Sequence, residues 1–230
     1  MKNTMFSQKF LGVFICIVLL AMSAFAVNAE VLVQEAINNV AKLETISLEL
    51  NVEVLAEGFS QNMVMQIESH LKEGVGRLEF KAPKEFAGQI IIVDKPKDLF
   101  INYYSTGQAV RMPLSQSAQA NTMGMDISKL VELDTSDLSN LDVTRYSFSS
   151  EETVKNGVAA YLVIVVDQKK EFGTQKIWLA KSDKLPLAME SYDSMGKKIM
   201  AMTLSKVEKN KKLDLKKLRA LPAGAVVFDM

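Results

Sequence analysis

The hydrophobic period of this chain changes at residue 45. Before it, Leu32, Val33, Ala36, Ile37, Val40, Ala41 and Leu43 recur at spacings of three and four. That spacing predicts one amphipathic helix over residues 31–43 with a single apolar face. From residue 45 the period is two. Ile46, Leu48, Leu50, Val52 and Val54 alternate with Thr45, Ser47, Glu49, Asn51 and Glu53. Met63, Met65, Ile67 and Leu71 alternate with Asn62, Gln66, Glu68 and His70, and Leu78 and Phe80 alternate with Arg77, Glu79 and Lys81. These are half-buried antiparallel strands, dry on one face and wet on the other, with Gly58, Gly74 and Gly76 marking turns.

Shorter strands follow at 89–93, 99–104 and 108–114, the last reaching Pro113, a residue of strand ends and edges. The alternation then stops. Residues 115–122 are small and polar, and Ile127, Leu130, Val131 and Leu133 suit a short helix opened by Asp126. Strands resume at 144–149, 158–166, 174–180, 185–192 and 197–206. Asn156-Gly157 is a strong hairpin signal, and Ser194-Met195-Gly196 marks another turn. Val158 to Val166 is apolar at odd and even positions alike, which predicts a central strand covered on both sides.

The fold expected is therefore α+β: a large curved antiparallel sheet of about 10–11 strands, since a sheet that long must curl or close. With only two short helices to cover its apolar face, an unclosed half-barrel lidded by helices follows.

The first 29 residues read differently. Lys2 and Lys9 precede an uncharged apolar run from Phe10 to Ala26, and Ala24, Ala26 and Ala29 stand before Glu30, the first acid. This is the layout of a secretory signal peptide, with cleavage expected after Ala29, or else after Ala26. Residues 30–230 then form a single exported domain. The chain holds 27 basic and 27 acidic residues. Removing Lys2 and Lys9 leaves 25 against 27, a net charge near −2 that gives no reason to expect nucleic acid. Cys16, the only cysteine, lies within the leader. The mature domain thus has no disulfide and no thiol, and Cys16 stands mid-run, where a lipid-attachment cysteine does not. An exported, unanchored monomer is expected.

Catalytic chemistry is sparse. His70 is the sole histidine and falls on a polar strand face, and no G-x-S-x-G elbow occurs. A zinc site would need more ligands than the chain owns. Ser194 to Lys197 fits S-x-x-K but sits in an expected turn. Asp134, Asp137, Asn140 and Asp142 lack the glycine and final Glu of a calcium loop. No enzyme activity and no cofactor are expected. Lys197, Lys198, Lys206, Lys209, Lys211, Lys212, Lys216, Lys217 and Arg219 form a basic stretch, either a solvated surface or a contact for an anionic partner. Ten methionines remain after the leader, either core packing or the lining of a cavity that adapts to a flexible apolar ligand.

Local segments carry a family resemblance. Gly76-Arg77-Leu78-Glu79-Phe80-Lys81-Ala82-Pro83 resembles a strand that leads into a basic residue and proline in the LolA-type outer-membrane lipoprotein carriers. Ile90 to Asp94 with Asp98 to Tyr103, Ile177-Trp178-Leu179 through Tyr192 to Lys197, and Asp214 through Pro222 to Asp229 resemble later segments of that lipoprotein-sorting superfamily. The resemblance implies a soluble carrier that shields acyl chains of a lipoprotein or other lipid during transfer across the periplasm, with membrane proteins delivering and accepting the cargo. The carriers place an arginine before that proline, where it helps latch the lid; here Ala82 stands there. A stress- or lipid-sensing regulator that binds a membrane protein is the alternative on the same fold. From alternation and resemblance together, the cavity is expected to be lined by Leu48, Leu50, Val52, Met63, Met65, Ile67, Leu78, Phe80, Ile91, Ile101, Met112 and Trp178. Its lid is expected to carry Ile37, Val40, Ile127, Leu130 and Val131.

Overall fold

The computed structural model describes residues 27–56, 59–120, 145–169 and 173–230. Residues 1–26 of the leader and the segment holding Ile127, Leu130 and Val131 lie outside them. An opening helix, α1 (Val27–Ala41), leads into β1 (Thr45–Ala56), β2 (Phe59–His70), β3 (Val75–Ala82), β4 (Ile90–Asp94), β5 (Leu99–Tyr103) and β6 (Gln108–Pro113). Then come β7 (Tyr146–Lys155), β8 (Val158–Asp167), β9 (Thr174–Ala180), β10 (Pro186–Tyr192), β11 (Lys198–Lys209), the one-and-a-half-turn helix α2 (Leu215–Arg219) and β12 (Val226–Asp229).

All twelve strands form one sheet in the order β12-β6-β5-β4-β3-β2-β1-β11-β10-β9-β8-β7. The chain starts at the middle of the sheet and walks by hairpins to β6. It crosses to the far edge at β7 and walks back until β11 pairs with β1, from Ile46 opposite Lys209 to Val54 opposite Met200. The two edge strands do not pair with each other, so the sheet stays open. Coiling is helped by bulges, where an extra residue bends a strand and raises its twist. One lies opposite Ser47–Glu49 on β11, and Lys206 there has a φ of 51°.

Two expectations are corrected. The sheet is mixed, because β12 pairs parallel to β6, from Val226 opposite Gln108 to Asp229 opposite Arg111. It is reached by a return over the outer face rather than by a hairpin, and a parallel strand needs such a crossover. Residues 158–167 are not central but next to the edge, between β9 and β7. Val158 and Val166 are correspondingly exposed. The strand buried on both sides is β4, Ile90-Ile91-Ile92-Val93-Asp94.

The reason is the C-terminal segment. Asp214 caps α2 by accepting from the Lys216 N–H. Leu218 is buried, and Arg77 donates to the Ala220 carbonyl at 2.6 Å. Leu221 packs on Ile90, Ile92, Ile101 and Ala109. The segment thereby covers the outer face of β3–β6. A second outer cluster gathers Ala160, Leu162, Trp178 and Ala188, with the Lys155 ammonium 3.7 Å above the Trp178 ring.

Turn chemistry follows the sequence. Asn156 and Gly157 take positive φ, 52° and 79°, as a tight hairpin requires. Gly173 (φ 67°) is needed for a different reason: a Cβ there would stand 2.1 Å from the Tyr192 carbonyl oxygen.

Candidate functional site

The inner face of the sheet carries the main apolar cluster, contributed by the ten consecutive strands between the edge strands β12 and β7 and by α1 over them. Ala29, Leu32, Val33 and Ala36 of α1 point into it at helical spacing. The helix is tethered at its C-terminal end, where Asn39 Nδ2 donates to the Asp183 carbonyl at 2.8 Å. Burial pushes the Asp183 carboxyl up, but hydrogen bonds from Lys209 and from the Leu185 N–H outweigh it and hold it below its ordinary value.

Strand register explains which residues share this face. Leu48 opposes Ile67, Leu50 opposes Met65 and Val52 opposes Met63. Leu78 lies between Ile67 and Ile91. Across the seam, Val52 opposes Met202, and Met202 opposes Met189. Of the residues expected to line the cavity, Leu48, Val52, Met63, Met65, Ile67, Leu78, Phe80, Ile91 and Met112 lie in this cluster, and Leu50 packs against it.

Ile101 and Trp178 do not; both lie in outer clusters. On β5 it is Phe100, opposite Val93 and Met112, that faces inward, and on β9 it is Ile177, opposite Met189 and Val163. Both strands have apolar residues at adjacent positions, so alternation alone did not decide their facing. Of the lid residues, Ile37 packs against the cluster, Val40 is half-buried outside it, and Ile127, Leu130 and Val131 fall outside the described residues.

The structure adds Val93, Phe100, Val163, Val165, Ile177, Leu179, Met189, Met200 and Met202 to this face. Six methionines therefore stand on it: Met63, Met65, Met112, Met189, Met200 and Met202.

Polar groups on the same face are few and mutually bonded. Gln89 Nε2 donates to Asn102 Oδ1 at 2.9 Å, and Asn102 Nδ2 donates to the Tyr104 hydroxyl at 3.1 Å. The Ser191 hydroxyl donates to Gln175 Oε1. Arg145 forks onto Asp167 at 2.8 and 2.7 Å. Ser69 is buried with its hydroxyl unpartnered.

Other sequence candidates are dispersed. His70 lies on the outer face of β2 with a buried, unbonded Nδ1. Ser194 is exposed in the β10–β11 turn, where Asp193 Oδ1 accepts from the Met195 and Lys197 N–H groups. The basic stretch is partly neutralised. Lys206 meets Glu49 at 2.8 Å, Lys209 meets Asp183 at 2.5 Å, and Lys211 meets Glu208 at 2.6 Å. Among the described residues no cluster of three His, Cys, Asp or Glu suits a metal, and no helix is long and apolar enough to cross a membrane.

A family model described as "-like: Uncharacterized protein" matches residues 77–218, more than half of the chain. No curated protein matches in sequence. An uncharacterized conserved protein from Thermus thermophilus is similar in structure, with TM-score 0.59 and 15% identity, covering 88% of this chain and 99% of that one. MucB is similar at TM-score 0.60 and 15% identity, covering 88% of this chain but 66% of MucB, so the chain spans just under two thirds of that protein. Pseudomonas aeruginosa MucB has also been solved in complex with MucA.

Proposed function

We propose that this chain, which belongs to the family whose model spans residues 77–218 and shares its fold with MucB, is an exported carrier of acyl chains. In this reading it shields a lipid, or the lipid part of a lipoprotein, between membranes, and it does so by binding rather than by catalysis. The observation that carries the proposal is the inner face: one continuous apolar cluster laid across an open sheet and overlain by α1. Burying a methylene is worth about 0.8 kcal/mol, so an acyl chain left in water costs on the order of 10 kcal/mol. Methionine suits such a surface, because an unbranched thioether side chain fills whatever gap the ligand leaves.

The leader supports export. Ala29 is fully buried in α1, so cleavage after Ala26 keeps a packed residue that cleavage after Ala29 removes. The resemblance to LolA-type carriers supports a periplasmic shuttle served by delivery and acceptor proteins. A second reading has one specific support. MucB shares this fold at TM-score 0.60 and is seen bound to MucA, which favours a regulatory module that binds a protein.

Titration of the exported domain with a fluorescent fatty-acyl probe tests the carrier. Saturable binding that is competed by an unlabelled diacyl lipid supports it. A folded protein that takes up no probe contradicts it and leaves the regulatory reading in its place.

A further inference from the structure

The buried polar side chains of the inner face collect at one rim. Nine polar or charged residues are buried among those described: Thr45, Ser47, Ser69, Gln89, Asp94, Asn102, Asp167, Gln175 and Ser191. Strand alternation puts Thr45, Ser47 and Asp94 on the outer face. Of the other six, five sit where their strands meet the same end of the sheet. Gln89 directly precedes β4, and Asn102 is the second-last residue of β5. Asp167 ends β8, Gln175 is the second residue of β9, and Ser191 is the second-last of β10. Ser69, near the opposite end of β2, is the exception. Between the two ends the inner face is apolar.

We infer that this rim holds the ester or amide linkages of the acylated ligand, whose chains run from there along the methionine-bearing floor toward the other end. The inference rests on the carrier reading and assigns the ligand a direction within it. A face that served only to bury hydrocarbon, or only to pack a core, has no use for carboxamides, because a buried amide without a partner costs about 1–3 kcal/mol. Here each amide keeps a protein partner: Gln89 bonds Asn102, and Gln175 accepts from Ser191. Such pairs stay satisfied in the empty protein and can exchange a bond with an incoming carbonyl or amide N–H.

The two pairs lie in opposite halves of the sheet, on β4–β5 and β9–β10. That arrangement suits a head with more than one linkage. Carboxamides and hydroxyls both donate and accept, and they carry no charge. The charges on this rim, the half-buried Arg145 and the buried Asp167, already neutralise each other through a two-pronged bond. The chemistry therefore fits a neutral acyl linkage better than a bare phosphate. Tyr104, exposed at the same rim and bonded to Asn102, carries the polar character out to solvent.

Two photoreactive monoacylglycerols test the direction. One carries a diazirine beside the ester, and the other carries it at the end of the acyl chain. Cross-linked peptides of the full exported domain are then mapped by mass spectrometry. The ester-side label is expected within residues 86–91, 101–108, 173–177 and 189–197, and the chain-end label within 46–50, 67–78 and 204–207. The same map from both probes, or the reverse pattern, overturns the inference while leaving the carrier standing. Labelling by neither probe overturns the carrier itself. In parallel, Asn102→Leu and Gln175→Met, close in shape to the native side chains, should each weaken monoacylglycerol binding about fivefold, the worth of one neutral hydrogen bond. Binding of an octadecyl fluorophore without an ester should be unchanged. Unaltered monoacylglycerol affinity in both folded variants counts against the rim.

Discussion

Arg219 pins the C-terminal helix to the outer face by a fork onto Asp94, Nε to Oδ2 at 2.6 Å and Nη2 to Oδ1 at 3.2 Å. The Asp94 side chain is completely buried, and Lys97 reaches the same carboxylate at 3.5 Å from an exposed position. The carboxylate was taken out of water for the sake of this pair. Removing Arg219 leaves it with only the longer contact from Lys97, and breaking a buried pair from one side is the costly way to break it. Arg219→Met is therefore expected to cost about 3 kcal/mol in urea unfolding. Arg219→Met with Asp94→Leu should recover most of that loss. Equal destabilisation of single and double variants would contradict the assignment.

Two glycines with similar φ should respond very differently to alanine. Gly157 (φ 79°) has nothing within 4 Å of an added Cβ, so Gly157→Ala meets only the cost of a left-handed backbone, about 1 kcal/mol. At Gly173 the new Cβ would run into the Tyr192 carbonyl and the Asp193 backbone. Gly173→Ala should exceed the Gly157 loss by at least about 2 kcal/mol, and thermal or urea unfolding of the two variants reads the difference.

The edge strand β12 should be sensitive to acid. Arg111 forks onto Asp229, and this hydrogen bond holds the exposed Asp229 carboxyl below its ordinary value. A carboxyl whose native pKa is lowered stabilises the fold fully above its unfolded value near 4, and that contribution is lost as pH falls through the lowered native value. Hydrogen exchange at Val226–Asp229 should therefore accelerate below about pH 4, relative to the intrinsic rate, while β1 and β11 keep their protection. Equal protection of β12 at pH 7 and pH 3 would contradict this role.

Facing decides which substitutions touch ligand. Leu50 lies on the inner face, and Trp178 lies outside beneath Lys155. Leu50→Glu places a charge on the apolar floor and should abolish acyl-probe binding in a chain that still folds. Trp178→Phe keeps the outer cluster filled and should leave probe affinity unchanged. Loss of binding in Trp178→Phe would show that the face is misassigned.

Much of this was legible in the sequence. Clean alternation in β1 and β2 fixed which side of each strand is dry, because each polar position there is a residue that costs free energy to bury. Leu48, Val52, Met63, Met65 and Ile67 accordingly share the inner face. Alternation failed where both sides of a strand are covered. Leu99-Phe100-Ile101 and Ile177-Trp178-Leu179 are apolar at consecutive positions, and only pairing with Val93 and Met189 settles their parity. The outer covering itself was hidden, since it depends on Arg219 finding Asp94 across 125 residues. The polar rim was hidden too. Gln89, Asn102, Gln175 and Ser191 are unremarkable in sequence and become a group only when four strand ends meet one end of the sheet.

The central claim is that the inner apolar face of the open sheet carries acyl chains, and native mass spectrometry of the protein purified from its own envelope tests it most directly. The account predicts a population heavier than the processed chain by the mass of a lipid or an acylated polypeptide, and absent from the Leu50→Glu variant. A bare chain in every charge state, under conditions that keep a known lipid complex intact, would contradict it.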